Sequence, residues 1–252
     1  MKLQAHRGVN SECPENTLSA ISRAIAQGYD VIELDVGVTK DMVFVLMHDD
    51  TVNRTGRNAD GSEIRKTTAL SELIYAELGQ YDFGSYFSPE FAGTPVCLLE
   101  EALITAKNAG IPIKIDNKYR KFSPEQKEAF FTLLEKWQDT AMLTCCDLPM
   151  LQEAAARFPQ MRLHYDGFVS VDILPKLNEI VPPERLTVWL PYRNQYTYWF
   201  KGAFADPALA AEVRKHGSLG IWLLSEYEEL DAAEALGAQI VETPGQLKHI
   251  RD

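Results

Sequence analysis

The sequence predicts a TIM-like (β/α)8 barrel, in which parallel strands form a closed barrel inside a ring of helices. Short apolar, β-rich runs alternate with amphipathic helical runs along most of the chain, which is typical of parallel strands joined by helices. A length of 252 residues is ordinary for one such barrel and does not require a second domain. We therefore expect a single domain over residues 1–252.

The predicted elements follow one another in a regular order. Residues 14–27 are predicted as a helix because proline stands near their start and Gly28 follows their end. The runs at 31–36 and 43–47 are joined by too few residues for a parallel crossover, so one is expected to be a hairpin arm, and the sequence leaves open which. The predicted strands are 3–5, 31–36, 43–47, 111–115, 140–145, 161–165, 185–190, 218–224 and 239–242, and the predicted helices are 14–27, 98–109, 124–137, 149–158, 171–180, 206–216, 226–236 and a short final helix.

Residues 50–96 interrupt this alternation. They are rich in Gly, Ser, Asn and Asp, contain two prolines and are longer than ordinary connections between elements. We expect them to form a small inserted lobe with a functional role, because functional residues concentrate on long loops.

Composition and charge exclude several classes of partner. The chain carries 25 Lys and Arg against 36 Asp and Glu, a formal net charge of −11, and a body this acidic repels nucleic acid. No uncharged apolar run approaches the length of a membrane span. Four cysteines without a CxxC pair do not suit a disulfide scaffold, and the first residues show no signal-peptide pattern. We expect a cytoplasmic protein, and the sequence leaves its oligomeric state open.

Two acidic residues stand on one predicted strand. Glu33 and Asp35 are two positions apart, so their side chains share a face of that strand. In an antiparallel sheet this face could simply be solvated. In a parallel barrel both faces are covered, and buried carboxylates require a partner. A hard cation such as Mg²⁺ or Ca²⁺ prefers oxygen ligands of this kind.

Further polar residues directly follow predicted strands. Asp116 and Lys118, again two positions apart, follow one strand, His6 and Arg7 follow the first strand, and His48 follows another. Taken singly, each has a structural interpretation as a strand cap, a surface charge or a hydrogen-bonding histidine. Because the carboxyl ends of barrel strands open on one face, we expect these residues to meet the two acids at a common mouth.

The charges at this mouth favour a phosphodiester ligand. The three carboxylates carry three negative charges, and a divalent ion together with Arg7 and Lys118 would carry four positive charges. The one remaining positive charge matches the single negative charge of a phosphodiester. Without the ion, each carboxylate near 4 Å would repel the phosphate by about 4 kcal/mol at an effective dielectric near 20. Two histidines supply a base and an acid, each worth roughly 10²–10⁴-fold in rate. These parts predict a metal-assisted phosphodiesterase.

The same residues lie in motifs that resemble the glycerophosphodiester phosphodiesterase family of the PLC-like phosphodiesterase superfamily. The order HRG, PENT, ExD, TKD and HD is long and specific, and the resemblance covers nearly the whole chain. In this sequence the motifs read Ala5-His6-Arg7-Gly8, Pro14-Glu15-Asn16-Thr17, Ile32-Glu33-Leu34-Asp35-Val36, Thr39-Lys40-Asp41 and His48-Asp49.

The resemblance implies hydrolysis of small-molecule glycerophosphodiesters to sn-glycerol 3-phosphate and an alcohol such as choline or ethanolamine. It implies that His6 and His48 are the acid–base pair and that Arg7 and Lys118 contact the phosphate. The implied ligands of a Mg²⁺ or Ca²⁺ ion are Glu33, Asp35 and Asp116. Two further assignments stay open. Glu15 suits either an acid near the metal or the N-terminus of a helix, and Trp222 suits either the glycerol pocket or the core.

The sequence departs from the family pattern at several positions. Asp116 stands where most members have glutamate, and Asp-x-Lys also occurs there in spider-venom-type phospholipase D enzymes, which form cyclic phosphates. The PENT and TKD motifs and the few cysteines argue against full membership of that branch. In the last predicted strand, residues 241–244 read VETP where ITDxP is common. Two alternatives to the hydrolase therefore stand: a lyase that stops at the cyclic phosphate, and a non-catalytic barrel that binds phosphorylated ligands.

Overall fold

Eight parallel strands form a closed barrel at the centre of the protein. The structure, a computed structural model, describes residues 1–192 and 205–247. Its strands are β1 (Lys2–Ala5), β2 (Val31–Leu34), β3 (Val36–Val38), β4 (Phe44–Leu46), β5 (Arg57–Asn58), β6 (Tyr81–Asp82), β7 (Ile113–Ile115), β8 (Ala141–Cys145), β9 (Leu163–Tyr165), β10 (Leu186–Pro191), β11 (Ser218–Trp222) and β12 (Ile240–Thr243). The order around the barrel is β1, β12, β11, β10, β9, β8, β7 and β2, and β2 pairs with β1 to close it. The predicted TIM-like fold is confirmed.

Helices follow most of the barrel strands. Among the described residues they are α1 (Leu18–Ala26), α2 (Tyr75–Leu78), α3 (Leu99–Ala109), α4 (Pro124–Leu134), α5 (Leu148–Arg157), α6 (Leu174–Asn178), α7 (Pro207–His216) and α8 (Tyr227–Ala235). None of the helices in the part of the chain that the structure describes is long and apolar enough to cross a membrane.

Helix α1 begins at Leu18, later than the predicted start at residue 14. Thr17 is its N-cap, because the Thr17 hydroxyl oxygen accepts a hydrogen bond from the Ala20 N–H at 3.3 Å while its own backbone is extended. Pro14 therefore lies in the turn before the helix. Helix α6 is also shorter than the predicted 171–180, and the predicted final helix falls outside the described residues.

The predicted strand at 31–36 divides into a barrel strand and a hairpin arm. β2 ends at Leu34, and β3 pairs antiparallel with β4 outside the barrel. The run at 43–47 is therefore the other hairpin arm, and β2 is the barrel strand. This division leaves Asp35 between β2 and β3, where the chain leaves the barrel.

A tryptophan fills the barrel interior. Trp189 on β10 is fully buried, and its strand neighbour on β11 is Gly220. A Cβ atom at Gly220 would lie 2.5 Å from Trp189 Cδ2, so only glycine leaves room for the indole. The indole Nε1–H donates to His164 Nδ1 at 2.9 Å, and the ammonium group of Lys114 lies 4.5 Å from the ring centroid. The barrel therefore has a packed, partly polar interior beneath its mouth.

Residues 50–96 pack on the hairpin formed by β3 and β4. They contain β5, β6 and α2, and they share an apolar cluster with the hairpin. The buried members of this cluster are Val45, Met47, Val52, Leu70, Leu78, Phe83 and Val96. Because Val45 lies on β4, the hairpin that precedes His48 is packed directly against this segment.

Candidate active site

The carboxyl ends of the barrel strands β1, β2 and β7 bring most of the predicted site residues to one mouth, and the hairpin of β3 and β4 adds His48. His6 and Arg7 follow β1, and their segment turns sharply, since Arg7 has a φ of 56° and Gly8 a φ of 76°. A Cβ atom at Gly8 would lie 2.6 Å from Ala20 Cβ, so this turn packs against α1 only with glycine. The turn also directs the Arg7 N–H to Glu33 Oε2, at 2.9 Å.

Glu33 is a buried carboxylate with little positive charge near it. It lies on β2 with 3% of its surface exposed, and the hydrogen bond recorded to its side chain comes from the Arg7 backbone. Burial raises the pKa of Glu33 well above its usual value, and the negative charges of Asp35 and Glu242 raise it further. This carboxylate therefore requires either a proton or a cation.

Asp35 is in the opposite situation, because cations surround it. Its Oδ2 atom accepts a hydrogen bond from Asn16 Nδ2 at 2.9 Å and lies 3.1 Å from Arg7 Nε, and Lys118 Nζ lies 3.9 Å from Oδ1. Burial alone would raise the pKa of Asp35, but Arg7, His48 and Lys118 together lower it. Asp35 is therefore held as an anion.

Asp116 joins Asp35 through a shared lysine. It follows β7, and its Oδ2 atom lies 4.0 Å from Lys118 Nζ. Lys118 thus stands within about 4 Å of both carboxylates. The strand and turn that carry Asp116 and Lys118 bring them to the same mouth as Asp35.

His48 stands between a carboxylate and this lysine. Its Nδ1 atom lies 2.6 Å from Asp49 Oδ1, and its Nε2 atom lies 3.0 Å from Lys118 Nζ. Asp49 is held in turn by Arg54, whose Nε lies 2.7 Å from Asp49 Oδ2. Burial opposes ionisation of Asp49, but hydrogen bonds from Arg54 and His48 outweigh it and lower the pKa of Asp49 to about 2.

His6 lies deeper in the mouth. Its Nδ1 atom is 3.3 Å from Asn10 Nδ2, and its Nε2 atom is 4.0 Å from Glu242 Oε1. Burial lowers the pKa of His6, although the charge of Glu242 opposes this effect. His6 is therefore favoured as the neutral imidazole, able to accept or to pass on a proton.

Glu15 connects this mouth to the inserted segment. It lies before α1, where its Oε1 atom accepts hydrogen bonds from Arg7 Nη1 at 2.9 Å and Arg54 Nη2 at 2.7 Å. Its backbone N–H donates to the Tyr86 hydroxyl at 2.9 Å. Trp222, at the end of β11, packs on the interior cluster around Trp189.

Three side chains at the mouth bring atoms that could bind a metal ion close to one another. Among residues 1–192 and 205–247, His6, Glu33 and Glu242 offer ligand atoms that all lie within 4.8 Å of one another. Asp35 and Asp116 flank this group, since the charges of both raise the pKa of Glu33. The donor set is mainly buried carboxylate oxygen, which fits a hard divalent cation such as Mg²⁺ or Ca²⁺.

Three charged residues at or below the mouth were not expected from the sequence. Glu242 on β12 and Asp166 after β9 follow the same rule of strand ends that identified Asp116. Asn117 Nδ2 donates to Asp166 Oδ1 at 3.0 Å, while burial and the charge of Asp116 raise the pKa of Asp166 to about 7. The third is Lys114, whose side chain turns into the barrel instead of toward solvent.

Comparisons with known proteins identify the family of the chain. Residues 6–159 match the Glycerophosphoryl diester phosphodiesterase family. The chain is 39% identical over 113 residues to a glycerophosphodiester phosphodiesterase of Caldanaerobacter subterraneus subsp. tengcongensis, a match covering 44% of this chain and 43% of that protein. It is 35% identical over 130 residues to a glycerophosphodiester phosphodiesterase of Bacillus altitudinis, covering 50% of each chain. The matched regions thus span half or less of the length of these relatives.

The solved structures support the fold over the whole chain. A phosphodiesterase of Oleispira antarctica, solved in complex with the product sn-glycerol-3-phosphate, has a TM-score of 0.78 at 20% identity. The superposition covers 98% of this chain and 94% of that chain. At this level of identity the likeness supports the fold alone.

Proposed function

Because the chain belongs to the glycerophosphoryl diester phosphodiesterase family, we propose that it is a metal-dependent hydrolase of glycerophosphodiesters, with sn-glycerol 3-phosphate and an alcohol as products. The observation that carries this proposal is the pair of imidazoles around one carboxylate. His6 and His48 each interact electrostatically with Asp35, although they follow different strands. A protein that only bound phosphate would have no need for two imidazoles at such a place.

The phosphate is bound by Arg7 and Lys118. Both cations lie at Asp35 in this structure, at 3.1 Å and 3.9 Å, so both reach the same part of the mouth. A guanidinium group binds phosphate oxygens in pairs, and an ammonium group binds as a point charge. Together they offset the negative charge that would otherwise repel a phosphodiester.

Glu33, Asp35 and Asp116 would hold the divalent ion. Glu33 supplies the least compensated of the three carboxylates, and the other two flank it. A Mg²⁺ or Ca²⁺ ion held by these carboxylates would supply positive charge to offset the charge of the phosphoryl group. His6 is reserved for proton transfer, because hard cations prefer oxygen to imidazole nitrogen.

His48 and His6 move the protons. Asp49 accepts the Nδ1–H of His48, which leaves a lone pair on Nε2 to take a proton from the attacking hydroxyl. By family resemblance this is the glycerol 2-hydroxyl, which forms a bond to phosphorus as the bond to the alcohol oxygen breaks. His6, in its protonated form beside Glu242, gives a proton to the leaving alcohol and becomes the neutral imidazole that its burial favours. Water then opens the cyclic phosphate, and the proton movements reverse.

A product assay tests this proposal and separates it from the two alternatives. The protein is incubated with glycerophosphocholine and Mg²⁺, Ca²⁺ or Mn²⁺, with EDTA in parallel, and release of sn-glycerol 3-phosphate is measured. Phosphorus NMR distinguishes that product from a cyclic phosphate, whose accumulation would identify a lyase. If no diester of a broad panel turns over with any of the three ions, the hydrolase is refuted and the phosphate-binding barrel is favoured.

A further inference from the structure

Glu242 is a buried carboxylate that the proposed mechanism does not use. It lies on β12 with 5% of its surface exposed, opposite Gln4 on β1. Its two oxygens have different surroundings. Oε2 accepts hydrogen bonds from Lys114 Nζ, at 3.2 Å, and from the Gln4 side-chain amide, whereas Oε1 faces His6 Nε2 at 4.0 Å.

The contacts to Oε2 fix this carboxylate from two other strands. Lys114 lies on β7 and Gln4 on β1, so the side chains of three strands meet at one oxygen. Lys114 is itself held, because its ammonium group lies over the Trp189 ring at 4.5 Å. A carboxylate anchored by one oxygen in a packed barrel presents its second oxygen in a defined direction.

Glu242 also lies close to Glu33, the carboxylate with the fewest cationic contacts. Ligand atoms of Glu242, Glu33 and His6 all lie within 4.8 Å of one another. Asp35 has a guanidinium group at 3.1 Å, but Glu33 has only the backbone N–H of Arg7 among its recorded hydrogen bonds. Two neighbouring carboxylates, one of them without a cationic partner, are the arrangement that a divalent cation stabilises.

A buried oxygen beside Glu242 is an independent sign of a missing ligand or water. The side-chain carbonyl oxygen of Gln4 is buried and accepts no hydrogen bond from the described residues, and the whole side chain is 0% exposed. The nitrogen of the same amide contacts Glu242, so this carbonyl oxygen belongs to a side chain that touches the proposed ligand. A buried carbonyl oxygen costs free energy unless a donor, a water or a cation satisfies it.

We propose that Glu242 is a ligand of the catalytic divalent ion in this protein, which binds between β2 and β12 with Glu33 as the common ligand. This inference rests on the proposed function for the presence of the ion, and it adds a ligand from the last barrel strand. The competing explanation is that Glu242 only neutralises Lys114 within the barrel.

A matched pair of substitutions separates the two explanations. E242Q removes the ligand oxygen's charge, and K114Q removes only the buried cation that anchors it. Binding of Mn²⁺ is measured without substrate, by electron paramagnetic resonance of the free ion. We expect E242Q to raise the Kd for Mn²⁺ at least tenfold. We expect K114Q to change this Kd by less than threefold or to lower it. A change of less than twofold in E242Q overturns the proposal, and so does equal weakening in both variants.

Two further measurements keep the test decisive. If E242Q does not fold because Lys114 is left unpaired, the double variant K114Q/E242Q removes both charges and is expected to show the same weakening. In the wild-type protein crystallised with Ca²⁺, we expect a Glu242 oxygen at about 2.3–2.6 Å from the ion, and an ion with no Glu242 contact overturns the proposal. These measurements need no turnover, so loss of the proposed hydrolase activity and loss of the Glu242 ligand are seen separately.

Discussion

His48 and Lys118 are in direct contact, with 3.0 Å between His48 Nε2 and Lys118 Nζ. The opposite nitrogen of the ring lies 2.6 Å from Asp49. Because a carboxylate can only accept, this contact assigns the ring proton of neutral His48 to Nδ1 and leaves a lone pair on Nε2. Lys118 therefore occupies the position from which a substrate hydroxyl would reach that lone pair. We expect bound phosphate to draw the ammonium group away and free Nε2 for proton transfer.

Removal of either imidazole tests this arrangement most directly. His6→Ala and His48→Ala are each expected to lower kcat on glycerophosphocholine by at least roughly 10²-fold, because each removes one proton-transfer group. Circular dichroism checks that the fold is intact. His216→Ala is the matched control, since His216 lies on α7 and pairs with Asn178. Near-normal turnover in His6→Ala or His48→Ala would contradict the role assigned to that residue.

The inserted segment is expected to position His48 through Arg54. Arg54 donates to both carboxylate oxygens of Asp49 and to both of Glu15. Lysine cannot reproduce this pair of two-point contacts, so Arg54→Lys is expected to lower kcat roughly tenfold with a smaller change in KM. Arg57→Gln is the control, because the hydrogen bonds recorded for Arg57 go to backbone carbonyls of the same segment. Equal kinetics for wild type and Arg54→Lys would show that Asp49 orients His48 without this contact.

Metal removal should affect both activity and stability. We expect EDTA to abolish turnover and Mg²⁺ or Ca²⁺ to restore it. Because an ion that binds only the folded protein stabilises it by about 2.7 kcal/mol at 100 times its Kd, adding the ion should raise the Tm of the metal-free protein. In Glu33→Gln this rise in Tm should be much smaller, since Glu33 is the least compensated carboxylate at the mouth. A Tm that is independent of added ion would argue against a metal site.

The sequence predicted the barrel and one side of its mouth for definite physical reasons. Strand ends in a parallel barrel share a face, and polar residues directly after apolar runs are visible without any structure. Asp116 and Lys118 were found in this way, whereas Asp35 was found because it shares a face of a predicted strand with Glu33. The structure brings Asp35 and Asp116 within about 4 Å of Lys118. The boundary between β2 and β3 was harder to predict from the sequence, because apolar residues continue through the point where the chain leaves the barrel.

The contact between Lys114 and Glu242 could not be predicted from local patterns. Lys114 and Glu242 form an ion pair across 128 positions of sequence, and each alone fits an ordinary strand residue. The pairing depends on barrel closure, which brings β1, β2 and β12 side by side. The interior place of Trp189 likewise depends on its register with Gly220 on the neighbouring strand.

The contact of Gly220 with Trp189 gives a prediction for stability that is independent of catalysis. In Gly220→Ala the new Cβ would lie 2.5 Å from Trp189 Cδ2, and the indole cannot move freely, because His164 stacks on it and Lys114 lies over its ring. Overpacking of this kind costs about 1–3 kcal/mol in the free energy of unfolding.

Urea denaturation of a double-mutant cycle measures this effect. Trp189→Leu alone should be destabilising, because it leaves a cavity in the barrel interior. Combined with Gly220→Ala, however, it removes the clash, so the double variant should be more stable than the sum of the two single effects by more than about 0.5 kcal/mol. Additive effects would mean that the methyl group at position 220 is accommodated by movement of the β11 backbone, and that Trp189 does not require glycine there.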